Sequence, residues 1–297
     1  MEWGQPLRGV YHLVVLARPS HWLKNAFVFA ALLFSREVTN PRAIGLAAVA
    51  FVAFCLASSA IYALNDVLDR KEDARHPVKR ERPVASGRTT VGAAAALGVL
   101  LMVSALAVAM TLPCPFLLTV VAYLVVTLAY IGGLKGIAVL DVLLIALGFV
   151  IRAYAGGVAI GVPVSPWLIL CTLTLALFLG FAKRKSERVA LGEAAAETRL
   201  IEWQAYEDKA LDHMMTVSAA LAIATYMLYT ASPEMTTHVV RPWMFLTVLP
   251  VVYAMFRFYR LAIAGRVTGP VEMVRHDPAF VASLVVWVGM VAVILFV

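Results

Sequence analysis

Long segments without charge constrain this chain more than any other feature. No Asp, Glu, Lys or Arg occurs from Ala43 to Leu64 or from Thr89 to Leu134. A transmembrane helix needs roughly 20 consecutive apolar residues, so the first segment suits one helix and the second suits two. Only 14% of the residues are charged and the mean hydropathy is +0.86, whereas soluble domains have about 25% charged residues. The sequence therefore predicts an integral membrane protein.

The apolar segments predict an all-α fold, a polytopic bundle of transmembrane helices. Pro113 and Pro115 divide the longer uncharged stretch, because proline ends a helix. We expect one membrane domain over residues 1–297, without an appended soluble domain. The nine predicted spans cover 22–39, 43–64, 91–111, 115–132, 138–158, 166–183, 211–231, 242–262 and 278–297.

The basic residues predict the orientation of these spans. With the N-terminus in the cytoplasm, 21 of the 25 Lys and Arg residues fall on the cytoplasmic side, as the positive-inside rule requires. The odd number of spans then places the C-terminus outside. The net charge of +7 is explained by topology, so we expect no nucleic-acid partner. The three cysteines show no metal-binding spacing and are interpreted as packing residues.

An acidic motif follows the second predicted span. Asn65, Asp66, Asp69 and Asp73 lie where the apolar segment meets water, with Tyr62 one turn earlier. On a continuous helix, the i, i+3, i+7 spacing would stack the three carboxylates on one face, where they repel each other and favour a cation. Hard oxygen ligands suit Mg²⁺, which is usually held by one or two carboxylates plus substrate phosphates. The motif predicts a Mg²⁺–diphosphate site; the alternative is a solvated helix end of mixed charge.

Basic and polar groups beside the same membrane boundary are candidates for binding phosphate. They are Lys24, Asn25, His76, Lys79, Arg80, Arg82, Lys135, Arg152, Lys183 and Arg184. Ordinary positive-inside charge is an alternative for several of them, as is an interfacial anchor for the Arg18–Asn25 stretch. For Asp141 and Arg152, which share one helix face, pairing with other helices is an equal alternative to catalysis.

Five further residues are possible contributors to the site. They are Tyr62, Tyr130, Glu187, Asp208 and Asp212. Asp208 and Asp212 form an i, i+4 carboxylate pair, for which a solvated loop helix is the alternative.

Nine spans, with an Asn-Asp-x-x-Asp-x-x-x-Asp motif ending the second, resemble the UbiA superfamily of intramembrane prenyltransferases. The His-Pro-x-Lys-x-x-Arg-Pro stretch that follows the motif extends the resemblance, which covers nearly the whole chain. It implies a helical bundle around a cytoplasm-side cavity. It also implies that the aspartates hold Mg²⁺ bridged to a diphosphate, and that a lateral opening admits a polyprenyl chain.

One departure separates this sequence from the aromatic prenyltransferases of the superfamily. They carry a second Asp-rich motif after the sixth span, where this chain has Phe-Ala-Lys-Arg-Lys-Ser-Glu. That ending, the Arg-Pro-x-x-Trp-x-Lys-Asn start and the stretch Ile151–Gly157 are similar to the decaprenyl-phosphate phosphoribosyltransferase branch.

The resemblance implies a Mg²⁺-dependent transferase in a bacterial plasma membrane. Its partners would be phosphoribosyl pyrophosphate and a polyprenyl phosphate, such as decaprenyl phosphate. The acceptor phosphate is already an anion, which agrees with the scarcity of candidate general bases. The alternative is a prenyltransferase that moves a polyprenyl group from its diphosphate to an aromatic or other small acceptor, of the 4-hydroxybenzoate type. A transporter is disfavoured, because the charges cluster at one face and no broken-helix repeat is evident.

Overall fold

A computed structural model of the chain describes residues 5–35, 37–191, 206–232, 242–267 and 269–296. Throughout these ranges the regular structure is helical and no strand is present, which confirms the all-α prediction. The α-helices are α1 (Gln5–Ala17), α2 (Ala30–Phe34), α3 (Pro41–Leu68), α4 (Arg70–Asp73), α5 (Val91–Ala109), α6 (Cys114–Ile131), α7 (Leu140–Ile160), α8 (Pro166–Leu191), α9 (Asp208–Thr230), α10 (Val248–Ile263), α11 (Pro270–His276) and α12 (Pro278–Phe296).

Seven helical segments in the described ranges are long and apolar enough to cross a membrane. They are Pro41–Leu68, Val91–Ala109, Cys114–Ile131, Leu140–Ile160, Pro166–Val189, Lys209–Thr230 and Trp243–Ile263. The final predicted span contains a shorter apolar helix, Pro278–Ile294. The multiple apolar helices confirm an integral membrane protein, whereas the count of nine spans is not confirmed.

The first predicted span, 22–39, is not one α-helix. A 3₁₀ helix covers Pro19–Phe29, α2 follows, and a second short 3₁₀ turn covers Glu37–Thr39. Asn25 accounts for part of the difference, because its buried side chain donates hydrogen bonds to Ser58 Oγ (3.1 Å) and Cys55 Sγ (3.3 Å) on α3. The segment is thus held against α3 by polar contacts that a hydropathy pattern does not contain.

The chain divides into two compact units, of which the first comprises residues 1–135 and 151–164. Helix α3 begins at Pro41, where Asn40 caps it by accepting from the backbone N–H groups of Arg42 (3.0 Å) and Ala43 (3.3 Å). It packs against α5 through small residues: a Cβ on Gly98 would lie 2.8 Å from Leu64 Cγ. Small residues allow this close approach of helices in lipid.

The second unit comprises residues 136–150 and 165–297. Its core contains Phe178, Phe258 and Phe280, with ring centroids of successive pairs 5.7 and 6.3 Å apart. Helices α8 and α9 contribute to this core together with α10. The chain passes between the units at three points, one of which falls within α7. The expectation of a single domain stays a prediction.

Candidate functional site

Two aspartates of the acidic motif meet at one arginine. The carboxylates of Asp66 and Asp73 are buried, with 1% and 3% of each residue exposed. Arg82 Nη1 donates to Asp66 Oδ1 (3.2 Å) and to Asp73 Oδ2 (2.7 Å). A single cationic nitrogen therefore lies between two carboxylates that are seven residues apart in the sequence, about two helical turns.

Arg18 joins this group, although its side chain is not among the predicted site residues. Its Nη2 donates to Asp66 Oδ1 at 2.5 Å, and its guanidinium carbon lies 5.0 Å from the centre of the Tyr62 ring. Burial lowers the pKa of Arg18 from its ordinary value, and repulsion by Arg82 lowers it further, while Asp66 opposes the change. The sequence analysis offers an interfacial anchor as one alternative for the Arg18–Asn25 stretch and does not predict the contact of Arg18 with the motif.

The third aspartate of the motif has different partners. Helix α3 ends at Leu68, and Asp69 lies between α3 and α4 with φ −84° and ψ 0°. Its carboxylate accepts from Asn65 Nδ2 (2.9 Å) and forms an ion pair with Lys135. The three carboxylates therefore do not stack on one continuous helix face as expected, because the helix is interrupted at Asp69 and Lys135 neutralises that residue.

The chemistry of the aspartate pair fits Mg²⁺ when a substrate supplies further oxygens. In the part of the chain that the structure describes, no group of three or more His, Cys, Asp or Glu side chains is arranged to hold a metal ion. Mg²⁺ is commonly bound by one or two carboxylates plus substrate phosphates. Asp66 and Asp73 are such a pair of carboxylates, and the cationic nitrogen Nη1 of Arg82 lies between them. Asp69 as a metal ligand stays a prediction.

The basic stretch after the motif forms a tight turn. His76 is buried, and its Nδ1 accepts from the backbone N–H groups of Val78 (3.1 Å) and Lys79 (3.2 Å). An Nδ1 that accepts carries no proton, so this geometry places the ring proton on Nε2. Lys79 is half-buried, whereas the side chain of Arg80 is 65% exposed. Arg80 Nε lies 3.9 Å from Glu81 Oε1. His76 therefore has a structural role in this turn, and phosphate binding by His76, Lys79 and Arg80 stays a prediction.

Arg152 lies in a buried polar network of the first unit. Its Nε donates to Asn25 Oδ1 and its Nη2 to the Tyr123 hydroxyl, both at 2.8 Å. The guanidinium carbon also lies 4.5 Å from the centre of the Tyr123 ring. These contacts agree with the alternative in which Arg152 is a partner of other helices. Lys24 and Tyr130, also predicted for the site, are half-buried in the same unit.

The second unit contains its own ionic cluster at the end of α8. Arg184 Nε donates to Asp141 Oδ2 (2.8 Å), and the Tyr206 hydroxyl donates to Asp141 Oδ1 (2.6 Å). The backbone N–H of Val139 in turn donates to the Tyr206 hydroxyl (2.6 Å). Burial and the hydrogen bond to Asp141 raise the pKa of Tyr206, so the phenol stays protonated. Tyr206 carried no sequence signal beyond its position beside the predicted acidic pair.

Other predicted residues of the second unit form ion pairs. Glu187 Oε2 lies 3.6 Å from Arg184 Nη1, and Glu187 Oε1 lies 3.5 Å from Lys183 Nζ. Asp212 pairs with Lys185 at 2.7 Å, whereas the side chain of Asp208 lies outside the described residues. Lys183 is 46% exposed at its side chain. Lys183 is therefore better placed to bind an anion from solution than Arg184, which is buried beside Asp141.

Comparison with known proteins places this chain in a family. The model of the UbiA prenyltransferase family matches residues 25–266. Decaprenyl-phosphate phosphoribosyltransferase of Mycolicibacterium smegmatis is 33% identical over 304 aligned residues, covering 99% of this chain and 95% of that relative. The protein of the same name from Corynebacterium glutamicum is 31% identical, covering 93% and 84% of the two chains.

A solved structure also resembles this chain in its fold. The UbiA homologue from Archaeoglobus fulgidus, bound to GPP and Mg²⁺, has a TM-score of 0.70 at 17% identity, covering 96% of this chain and 100% of that one. This likeness shows the fold, and a divalent metal is thus known in a protein of the same architecture. By the match to the family model and the extent of the similarity to its relatives, the chain belongs to the UbiA prenyltransferase family.

Proposed function

We propose that the protein transfers 5-phosphoribose from phosphoribosyl pyrophosphate to a polyprenyl phosphate, with decaprenyl phosphate as the first candidate acceptor. The observation that carries the proposal is the buried aspartate pair, Asp66 and Asp73, held together by Arg82. That arrangement suits a metal-bound diphosphate. The choice of a sugar donor is supported by the similarity to two decaprenyl-phosphate phosphoribosyltransferases over nearly the whole chain.

In this proposal the residues of the motif bind the leaving group. Asp66 and Asp73 would hold Mg²⁺, with Asn65 and Asp69 as predicted contributors. When bound, Mg²⁺ supplies positive charge that stabilises the departing diphosphate. Arg82 and Lys79 would bind its oxygens, since an arginine fork matches phosphate geometry and a lysine acts as a compact charge.

The proposed reaction needs positioning more than proton transfer. An oxygen of the lipid phosphate forms a bond to the anomeric carbon of the ribose, and the bond from that carbon to the diphosphate oxygen breaks. The electron pair leaves with the diphosphate, so no proton has to be removed from the acceptor. The site would act by holding the two reactants in line and by stabilising charge. Lys183 and Arg184 stay predicted phosphate ligands, with Lys183 favoured by its exposure.

We propose a plasma-membrane location with the N-terminus and the acidic motif on the cytoplasmic side and the C-terminus outside. The distribution of the basic residues supports this orientation. A water-soluble sugar diphosphate and Mg²⁺ are both available in the cytoplasm, while the acceptor's isoprenoid chain stays in lipid. This orientation would bring donor and acceptor to one membrane surface.

The first prediction tests the reaction itself. Purified protein is given labelled phosphoribosyl pyrophosphate with decaprenyl phosphate, and separately a polyprenyl diphosphate with 4-hydroxybenzoate, each with Mg²⁺. We expect a labelled lipid product in the first mixture. Product in the second mixture alone would establish the alternative prenyltransferase reaction and end the phosphoribosyl proposal.

Two variants test the site in the same assay. Asp66→Asn should lower turnover by at least about 100-fold, because a metal-stabilised leaving group contributes several kcal/mol to the barrier. Glu81→Gln is the matched control: it also removes one carboxylate near the motif, but Glu81 is exposed and pairs with Arg88 at 2.7 Å. Near-normal turnover in Asp66→Asn would remove the metal-site assignment.

A further inference from the structure

The backbone at Arg18 is strained where its side chain reaches the acidic motif. Arg18 has φ 49° and ψ 60°, a left-handed conformation that residues other than glycine rarely adopt. It also precedes Pro19, and a residue before proline favours extended conformations. Strain of this kind persists only where surrounding contacts enforce it, and it is concentrated at functional sites.

A single hydroxyl fastens the chain on both sides of Arg18. Ser59 Oγ donates to the carbonyl oxygen of Ala17 (2.7 Å) and accepts from Trp22 Nε1 (3.0 Å). Ser59 is 1% exposed and lies on α3. It precedes Asp66 by seven residues, about two helical turns, so both side chains share one face of the helix. Ser59 thus holds the turn that contains Arg18. It lies on the same face of α3 as Asp66, the carboxylate that Arg18 contacts.

The two arginines have donors to spare for a further anion. A guanidinium carries five N–H groups on three nitrogens. Among the described contacts, Arg18 reaches Asp66 through Nη2, and Arg82 reaches both aspartates through Nη1. Both guanidinium groups converge on Asp66 Oδ1, and their side chains remain 19% and 23% exposed. A phosphate group approaching Asp66 would therefore meet two arginine forks instead of one.

We infer that Arg18 is a second arginine ligand of the donor diphosphate, and that Ser59 is a positioning residue acting through Arg18. The inference rests on the proposed function, because it specifies how the donor of that reaction is bound. It adds to the acidic motif a residue that lies 48 positions earlier in the chain. It also gives a reason for the left-handed backbone conformation of Arg18.

A double-mutant cycle tests the inference. Arg18→Gln should raise the donor KM by about 10- to 100-fold with little change in kcat, as expected when a hydrogen bond between charged groups is lost in both ground and transition states. Ser59→Ala removes the two hydrogen bonds that hold the turn but leaves Arg18 itself in place, so it should raise the donor KM less, by about 3- to 10-fold. In the Arg18→Gln background, Ser59→Ala should have no further effect, since its action passes through Arg18.

A matched control and a second measurement separate binding from folding. Ser283→Ala removes another buried hydroxyl, whose described bond is to the carbonyl of Phe280 on its own helix (2.7 Å), and it should leave the donor KM unchanged. The rise in melting temperature that phosphoribosyl pyrophosphate and Mg²⁺ cause should be smaller in Arg18→Gln than in the wild type. Arg18→Lys keeps the positive charge but loses the forked guanidinium, so its rise in melting temperature should lie between those of Arg18→Gln and the wild type. It replaces Arg18→Gln in the test if that variant does not fold.

The outcomes distinguish this inference from the proposed function. If the wild type transfers phosphoribose but Arg18→Gln and Arg18→Lys keep the wild-type donor KM, the inference is wrong and the proposed function stands. Equal effects of Ser59→Ala with and without Arg18 would contradict the positioning role of Ser59. A wild type that transfers no phosphoribose would overturn both.

Discussion

At the scale of single residues, His76 is the clearest case of a side chain that fixes the backbone of the site. Its Nδ1 accepts two backbone N–H groups, from the residues two and three positions later. An asparagine carbonyl does the same in turns of this kind. The imidazole therefore fixes the turn from which Lys79 and then Arg82 are presented, and Arg82 links Asp66 to Asp73.

This role predicts that asparagine at position 76 can largely replace histidine, whereas alanine cannot. His76→Ala should lower the free energy of unfolding by about 1–3 kcal/mol, because two backbone N–H groups lose their side-chain acceptor, and should raise the donor KM. His76→Asn should recover most of both losses, since its side-chain oxygen can accept the same N–H groups. Thermal unfolding and donor KM measure the two effects. If the imidazole itself bound phosphate, His76→Asn would be as impaired as His76→Ala.

Which residues of the site the sequence could predict depends on how far apart they lie in the chain. Asp66 and Arg82 are 16 positions apart, inside one motif whose spacing and charge are visible in the sequence. The contact between Arg18 and Asp66 spans 48 positions and depends on how the 3₁₀ segment meets α3. Local spacing contains no information about that meeting. The same limit applies to Asp141, whose partner Arg184 lies 43 positions away on another helix.

At the scale of helices and segments, the 3₁₀ helix Pro19–Phe29 is held by an unusually close contact with α7. A Cβ added to Gly156 would lie 1.9 Å from the carbonyl oxygen of Val28, a backbone atom that cannot move aside without moving the segment. Asn25 and Arg152 are hydrogen-bonded across the same contact. Helix α7 therefore supports the segment that begins next to Arg18.

Gly156→Ala should be far more damaging than the same change at an open helical glycine. We expect it to lower stability by about 3 kcal/mol or more, since overpacking against fixed backbone cannot be relieved by a side-chain rotation. Gly45→Ala on α3 is the control, because a Cβ there meets nothing within 4 Å and alanine favours the helix. Thermal unfolding in detergent measures both variants. Equal melting temperatures would show that the two segments are not in such close contact.

Hydropathy predicted the existence of the long helices better than the type of the first segment. Helix α3 was expected over 43–64 and extends over Pro41–Leu68, so Asn65 and Asp66 belong to the helix itself. The stretch 22–39 has the apolar length of a helix, yet its first part, as far as Phe29, belongs to a 3₁₀ helix that begins at Pro19. That part contains the buried Asn25 and packs against Gly156. These are tertiary contacts, which override a local pattern.

At the scale of the whole molecule, the membrane character was predictable because it follows from composition. An 18-residue window within α3 has a mean hydropathy of 2.3, and apolar side chains such as Leu100 and Val125 remain exposed in the structure, as expected where lipid covers them. The orientation depends on the distribution of charge and stays a prediction. The orientation also predicts that the loop containing Thr236 lies outside the cell, but Thr236 is not among the described residues. The first unit offers two described positions that test the same orientation.

The orientation predicts that the two ends of α5 lie on opposite sides of the membrane. Its 19 residues span about 28 Å, close to the thickness of the hydrocarbon core. Ser86 is exposed on the motif side of α5, and the native Cys114 is exposed just beyond its other end. Both residues can therefore report on topology without any assumption about the rest of the chain.

A membrane-impermeant maleimide added to intact cells should label Cys114 in a protein whose other cysteines, Cys55 and Cys171, are replaced by alanine. In the same background, the variant with Cys114→Ser and Ser86→Cys should label only after the membrane is opened. The matched control carries Cys114→Ser alone and should not label in either condition. The basic residues beside the motif favour this result, because they hold that surface in the cytoplasm. Labelling of Ser86→Cys in intact cells would reverse the orientation, and a cytoplasmic sugar diphosphate would then have no access to Asp66 and Asp73.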